Sequence, residues 1–169
     1  MNIGFDASRA YLDKKTGTEN YSYQILSHLQ KLDQNNKYYI YTRKNIPYPR
    51  LWTQFGLALQ TFKDKLDVLF VPAHTLPVIR KPGLKTVVTV HDLGSEYLPS
   101  MHQIKQRLYL SFMQKIQLKS ATTIIAVSKA TKVDLIKRIG INTDKVKVVY
   151  EGYDKKNFQF SIFNFQKNQ

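Results

Sequence analysis

Short apolar runs alternate along the chain with longer segments in which apolar side chains recur every three to four residues. The runs have the length and composition of strands, and the longer segments have the period of an amphipathic helix. Strands are predicted at residues 2–7, 37–43, 66–74, 84–92, 122–128 and 144–154, and helices at 16–32, 49–65, 102–121 and 129–141. This alternation predicts an α/β fold: a Rossmann-like, mostly parallel sheet with helices on both faces and right-handed crossovers.

Apolar spacing also predicts which side of each helix faces the sheet. Gly140 suits the C-terminal cap of the last helix, and Ser128 suits its N-terminal cap. The basic residues of helix 102–121 lie off its apolar stripe, so it is either a core-packed helix with a basic outer side or a helix that lies on a membrane surface. The expected inward-facing residues are Tyr21, Ile25, Leu29 and Leu32, then Ile104, Leu108, Phe112 and Ile116, then Val133, Ile136 and Ile139.

Composition narrows the class of protein. The length of 169 residues suits one domain, and the absence of cysteine excludes disulfides, a thiol nucleophile and cysteine metal sites. The first residues do not form a signal peptide, and no segment reaches the ~20 apolar residues that cross a bilayer. We therefore expect a soluble, cytoplasmic protein.

Net charge adds a class of partner. The formal charge of +14 attracts polyanions, namely nucleic acid, anionic lipid headgroups or phosphorylated substrates. A lysine-rich solvated surface explains the same charge without any partner.

Polar residues follow the predicted strands, and in an open parallel sheet ligands bind outside the carboxyl ends of the strands. These residues are therefore the candidate site. They are Gly17, Thr18 and Glu19 after the first strand, His74 after the third, His91 and Asp92 after the fourth, Ser128 and Lys129 after the fifth, and Glu151 and Gly152 after the sixth.

The loop "TGTEN" has two interpretations. Gly17 allows close approach of a phosphate or sugar, and the following helix offers free amides and a positive dipole end. Its single glycine does not make a dinucleotide fingerprint. The alternative is an ordinary strand-to-helix turn in which Thr16 or Thr18 caps the helix and Glu19 suits its positive end.

His91 follows the valine-rich strand of residues 84–92. Its imidazole could bond a sugar hydroxyl or a reacting oxygen, or it could be a satisfied histidine at the edge of the core. Asp92 points to the opposite face, so the two make a poor metal chelate, and Asp92 is expected to brace the loop through backbone amides. A His-Asp metal phosphohydrolase would need further ligands, which His28 and His102 do not supply.

Two further positions have competing structural explanations. His74, between Pro72 and Pro77, belongs either to a rigid surface loop or to an acceptor contact. An N-cap role suffices to explain Ser128, and no Ser-His-Asp triad follows from the spacing.

The ordered set of segments resembles the N-terminal half of glycosyltransferase family four (group one) enzymes, which have the GT-B fold. The strand that ends in His91 and Asp92 is followed by a basic helix, by "IAVSKATKVDLIKRIGI" and by "VKVVYEGYD". "TGTENYSYQIL", "LWTQFGLALQ" and "DVLFVPAHTLP" match the earlier part of that half. The resemblance covers residues 2 to about 158 and rests on the order of the segments, because no single motif is specific.

The resemblance implies transfer of a sugar from a nucleotide diphosphate sugar to a glycan or lipid-linked acceptor, with retention and without a metal or other cofactor. The N-terminal half shapes the acceptor side. Gly17 and Thr18 would lie near the donor diphosphate, Glu19 near the cleft, and His91 would contact the donor sugar at the reaction centre. Asp92, His74, Ser128, Lys129, Glu151 and Gly152 complete the expected binding residues.

The resemblance also predicts the domain organisation. Residues 1–154 form the N-terminal domain, and residues 155–169 form a linker stub or an aberrant tail. The family's donor half, with its nucleotide pocket and Glu-x7-Glu element, has no counterpart in these residues. Because both halves stabilise the transition state, we expect little or no transferase activity from this chain alone.

Two other functions compete with this interpretation. One is a non-catalytic carbohydrate- or nucleotide-binding module with the same fold. The other is a basic nucleic-acid-binding protein, although no recognised nucleic-acid motif is present. A peripheral contact with the anionic inner face of a membrane is a further expected interaction.

Overall fold

A computed structural model shows a single sheet of six parallel strands, which confirms the predicted α/β fold. The structure describes residues 1–12, 15–43, 52–93 and 104–152, and for residues 104–111 it describes the backbone alone. The strands are β1 (Asn2–Asp6), β2 (Lys37–Tyr41), β3 (Val68–Val71), β4 (Lys85–Val90), β5 (Thr123–Ala126) and β6 (Val146–Val148).

Helical segments connect the strands. Two of the helices include π-helical turns, and a short 3₁₀ turn at Thr143–Lys145 precedes β6. The predicted helix starts at Pro49 and His102, and the predicted tail 155–169, lie outside the described residues. The helices are α1 (Gly17–Leu32), α2 (Ala58–Lys63) after a π-helical segment at Trp52–Leu57, α3 (Ile104–Ser120), and α4 (Lys129–Asp134) followed by a π-helical segment at Leu135–Ile139.

Strand order places a ligand crevice at one position in the sheet. The order is β2-β1-β3-β4-β5-β6, so the chain moves from β1 to one side and from β3 to the other. In an open parallel sheet, ligands bind at such a reversal, outside the carboxyl ends of the two strands. The crevice therefore lies where β1 and β3 end, beside the residues that follow β4.

Both faces of the sheet are covered, as a parallel sheet requires. On β4, Thr89 and Val90 point to opposite faces, and both are fully buried. A small apolar cluster packs around Phe5 and Leu26, and Phe5 meets Phe70 edge to face at 5.3 Å. The larger cluster includes Leu69, Val71, Val88, Val90, Leu118, Ile124, Leu135 and Val146.

The predicted inward face of α1 is right at its middle and wrong at its end. Ile25 and Leu29 pack against the small cluster, but Leu32 is 81% exposed. The buried face includes Glu19 and Ser22. At its N-terminal end α1 therefore turns polar side chains inward, which apolar spacing does not predict.

The predicted apolar stripe on α3 is wrong in the part whose side chains are described. Phe112 is 62% exposed and Ile116 is 36% exposed, whereas Gln117 and Leu118 are buried. Gln117 Oε1 accepts a hydrogen bond from the backbone N of Leu76 at 3.2 Å. A buried loop amide needs this partner, so a glutamine occupies the inner side of the helix.

The last helix follows its predicted ends but not its predicted face. Ser128 accepts a hydrogen bond from Thr131 N, and Gly140 ends the helix at φ +74°, so both predicted caps are confirmed. Val133 is exposed, and Leu135 and Ile139 are buried in its place. The π-helical turns after Asp134 break the 3.6-residue period on which the prediction relied.

Candidate functional site

His91 stands immediately after β4 and is held on both sides of its ring. Its Nδ1 lies 2.7 Å from Glu151 Oε1, and its Nε2 lies 3.2 Å from the carbonyl oxygen of Pro72. A carboxylate and a carbonyl only accept hydrogen bonds, so a doubly protonated ring satisfies both contacts and a neutral ring satisfies one. The His91 side chain therefore spans from the end of β3 to the segment that follows β6.

Neighbouring side chains fix the orientation of the same ring. Tyr21, on α1, meets it edge to face with ring centroids 4.8 Å apart. The Tyr21 hydroxyl lies 3.4 Å from Thr89 Oγ1, and burial raises the pKa of Tyr21. The first helix therefore packs against His91 from above the sheet edge.

The backbone of His91 is tied to the start of α4. Thr131 Oγ1 donates to the His91 carbonyl at 3.2 Å, and Thr131 N donates to Ser128 Oγ at 3.0 Å. Ser128 thus acts as the N-cap, as its sequence position predicts. Its neighbour Lys129 begins the helix.

At the start of α1, Thr16 is the cap, which decides between the two predicted candidates. Thr16 N donates to Glu19 Oε2 at 3.1 Å, and the Thr16 hydroxyl also contacts that carboxylate. Arg9 Nη1 donates to Glu19 Oε1 at 2.9 Å. The hydrogen bond from Thr16 lowers the pKa of Glu19, with Arg9 adding to the effect. Glu19 is thus engaged on both oxygens.

Gly17, the first residue of α1, faces open space. No atom outside its neighbours lies within 4 Å of the position that a Cβ would occupy, and its φ is not positive. Neither packing nor backbone conformation therefore requires a glycine at this position.

His74 is half-buried at the same edge, beside charged side chains. Burial lowers its pKa, the nearby charge of Arg9 lowers it further, and Asp92 partly opposes the shift. No residue of the described part of the chain hydrogen-bonds the His74 ring. His74 therefore lies near Arg9, His91 and Asp92, in the loop that follows β3.

A cavity at the ends of β1 and β2 involves residues that the sequence did not single out. Asp6 Oδ1 accepts from Ser8 N and from Trp52 Nε1, both at 3.1 Å. Burial raises the pKa of Asp6, although these hydrogen bonds oppose the rise. Arg43 Nε donates to Ser8 O at 3.0 Å. The cavity holds about 250 Å³ and is lined by Asp6, Ser8, Arg9, Arg43, Trp52, Thr53 and Thr75.

The strand-end rule that selected His91 would also have selected part of this cavity. Asp6 is the last residue of β1, and Arg43 is the second residue after β2. The apolar pattern places both of them inside predicted strands, and it places Trp52 inside a predicted helix. Their shared cavity depends on the packing of three segments, which spacing does not reveal.

Among the described residues, no group of three or more His, Cys, Asp or Glu side chains is arranged to hold a metal ion. No helix within the described ranges combines the length and hydropathy of a membrane span.

Comparison with known proteins identifies the family. The model of Glycosyltransferase Family 4 matches residues 29–157, which is more than half of the chain. The chain belongs to glycosyltransferase family 4. The matched range includes His74, His91, Ser128 and Glu151, whereas the α1 start with Gly17 lies before it.

A curated relative supports the same family assignment. The O-antigen chain mannosyltransferase RfbU of Salmonella typhimurium (strain LT2) is 28% identical over 85 residues. That match covers 50% of this chain and 22% of the relative. This family 4 chain therefore matches about a fifth of the relative's length.

Proposed function

We propose that this domain is the acceptor-side half of a GT-B glycosyltransferase. The reaction is transfer of a sugar from a nucleotide diphosphate sugar to a glycan or lipid-linked acceptor, with retention and without a metal. The observation that carries the proposal is His91, clamped between Glu151 and Pro72 at the ligand-binding edge of a family 4 domain.

His91 is the residue that we assign to the reaction centre. To bond a sugar oxygen, its ring must release one of its two contacts. The contact to Glu151 is the one that opens in this scheme, because the Glu151 side chain is 44% exposed and the Pro72 carbonyl is fixed at the end of β3. The freed N–H then donates to an oxygen of the donor sugar.

Glu151 acts in this scheme as a positioning residue for His91. A carboxylate repels a diphosphate, so direct contact with donor phosphate is unfavourable. Its contact with Nδ1 instead holds the ring in place.

The start of α1 is the proposed contact for the donor diphosphate. A helix N-terminus presents free amides and a positive dipole end, and the missing side chain of Gly17 leaves them open. Thr18 adds a hydroxyl next to it, and Glu19, held by Thr16 and Arg9, keeps the loop in place. Lys129, Asp92 and Gly152 remain proposed binding residues at the same edge.

The same proposal includes a donor-binding half and a cellular location. Family resemblance supports a second half that supplies the nucleotide pocket, so the described domain would be inactive without it. A cysteine-free chain fits the cytoplasm. Exposed Phe112 and Ile116, with Lys119 nearby on α3, support a peripheral contact with an anionic membrane.

The test mixes this chain with a separately produced donor-binding domain of the family. Labelled nucleotide diphosphate sugars are supplied as a panel, and incorporation of label into a lipid and glycan extract is measured. We expect incorporation only when both parts are present. Absence of incorporation with every donor, together with saturable sugar or nucleotide binding by this chain, would favour a non-catalytic binding module.

A separate measurement addresses the nucleic-acid alternative. DNA binding is titrated at several salt concentrations. Binding tighter than the ~10⁻⁴–10⁻⁶ M of ordinary nonspecific association would support that alternative, and weaker binding excludes it.

A further inference from the structure

The cavity at the ends of β1 and β2 has a cationic group that the proposed reaction does not use. The Nε–H of Arg43 donates to the carbonyl oxygen of Ser8. Within the described ranges, no carboxylate pairs with Arg43 and no hydrogen bond engages its terminal nitrogens. Its guanidinium therefore keeps both terminal NH2 groups and a full positive charge at the cavity wall.

The other charged side chains of the cavity already have polar partners. Arg9 is paired with Glu19 at 2.9 Å, and Asp6 receives its hydrogen bonds from Ser8 and Trp52. Asp6 and Arg43 are thus not paired with each other. The wall also carries the hydroxyl groups of Thr53 and Thr75, which can donate to an anion.

The cavity also lies in the right place relative to His91. Thr75, which lines it, lies three residues after Pro72, whose carbonyl oxygen is 3.2 Å from His91 Nε2. A ligand anchored in the cavity can therefore extend along the sheet edge to His91. The volume of about 250 Å³ is below the roughly 300–1,000 Å³ of sites that enclose a whole drug-sized ligand, so it suits one charged end of a larger molecule.

We propose that this cavity binds a negatively charged group of the acceptor, a phosphate or a carboxylate, with the Arg43 guanidinium as its principal ligand. A guanidinium fork matches the two oxygens of either group. The inference rests on the proposed function, because the acceptor is the substrate that this domain would hold.

The chain offers a direct reporter, because Trp52 is its one tryptophan and lines the cavity. Tryptophan emission is titrated with three probes that share a sugar ring: glucose 6-phosphate, glucuronate and glucose. We expect at least one charged probe to change the emission and to bind about tenfold or more tightly than glucose. The better of the two charged probes identifies the group as phosphate or carboxylate.

Three variants locate the binding. Arg43→Gln should weaken the affinity for the charged probe by about 10- to 100-fold. Arg43→Lys keeps the charge but loses the guanidinium fork, so its affinity should lie between that of Arg43→Gln and that of the natural chain. Arg138→Gln changes the net charge equally but lies outside the cavity lining, in the segment after α4, and should leave the affinity unchanged. Thermal unfolding of each variant checks the fold, and Arg43→Lys serves as the test if Arg43→Gln does not fold.

Two results would overturn the inference. Glucose could bind as tightly as both charged probes, or Arg138→Gln could weaken binding as much as the Arg43 variants, which would mean attraction by overall charge. Neither result affects sugar transfer in the mixing experiment. Failure of transfer with intact Arg43-dependent binding would instead refute the proposed function and leave an anion site.

Discussion

Two aspartates at opposite edges of the sheet have pKa shifts of opposite direction. At the amino edge, Asp33 between α1 and β2 accepts hydrogen bonds from Tyr38 and Asn36, and these lower its pKa to about 2. At the carboxyl edge, burial raises the pKa of Asp6. The first arrangement favours the charged form in the folded protein, and the second disfavours it.

The two edges of the sheet also differ in their other contacts. Near the start of β1, Asn2 bonds Asp67 and the carbonyl of Lys65, each at 2.7 Å, and these contacts join segments to one another. At the carboxyl edge, charged and titratable groups crowd together with a cavity and an open helix start. Charged groups that lower the stability of the fold are retained where they can contact a ligand, which is typical of functional sites.

The largest expected effect comes from the imidazole of the carboxyl edge. In the chain combined with its donor-binding domain, His91→Ala should reduce sugar transfer by about 100-fold or more, because it removes the proposed hydrogen-bond donor. His28→Ala, at an exposed position on α1, is the matched control and should leave the rate unchanged. Initial rates of label incorporation measure both effects. A near-normal rate for His91→Ala would make His91 a structural histidine.

Two glycines sharpen the comparison between packing and function. A Cβ on Gly4, inside β1, would lie 2.7 Å from Leu66 Cδ1 and 3.0 Å from Tyr41 Cε2, whereas one on Gly17 meets open space. Gly4→Ala should lower the free energy of unfolding by about 1–3 kcal/mol through overpacking. Gly17→Ala should leave stability equal or higher and weaken donor binding. Urea unfolding of both variants measures the effect on stability, and a similar loss of stability in both would remove the distinction.

The two aspartates predict opposite changes in the pH dependence of stability. The contribution of Asp33 is present above about pH 3.8 and is lost as the pH falls toward 2. The contribution of Asp6 is present below about pH 3.8 and is lost as the pH rises through its raised pKa. Asp33→Asn should flatten the acid limb, and Asp6→Asn should gain stability relative to the natural chain as the pH rises above 4. Denaturant midpoints from pH 2 to 7 test this, and parallel curves would contradict it.

The smallest effect concerns a buried hydroxyl on α1. Among the described residues, Ser22 Oγ is buried without a hydrogen-bond partner. Ser22→Ala should be neutral or stabilise the fold by up to about 1 kcal/mol, because the hydroxyl is desolvated without compensation. Ser128→Ala, which removes a helix cap, should instead cost about 1 kcal/mol. Thermal unfolding compares the two, and a clear loss for Ser22→Ala would reveal an unrecognised partner.

The sequence was sufficient for the sheet but not for the helix faces. Strands such as β4 are predictable because their apolar run is nearly continuous and both faces are buried. The inner side of α3 depends on Gln117 meeting a backbone amide of a distant loop, and the end of the last helix depends on π-helical turns. Neither feature can be read from the spacing of apolar residues in the sequence.

Within the candidate site, local rules placed residues but did not reveal their partners. The strand-end rule put His91 and His74 at the correct edge. The contact between His91 and Glu151 joins residues 60 positions apart, and the cavity around Arg43 needs β1, β2 and Trp52 together. Such pairs come from strand order, which the sequence pattern alone does not determine.

The central claim is that ligands meet the carboxyl edge and not the amino edge. Four glycines, which give well-separated amide signals, report on it: Gly17 and Gly152 at the carboxyl edge, and Gly83 and Gly140 at the amino edge. Amide chemical shifts of the ¹⁵N-labelled chain are followed while UDP or GDP is added to millimolar concentration. We expect saturable shifts at Gly17 and Gly152 and unchanged signals at Gly83 and Gly140. Equal shifts at both edges, or none at Gly17 and Gly152, would contradict it.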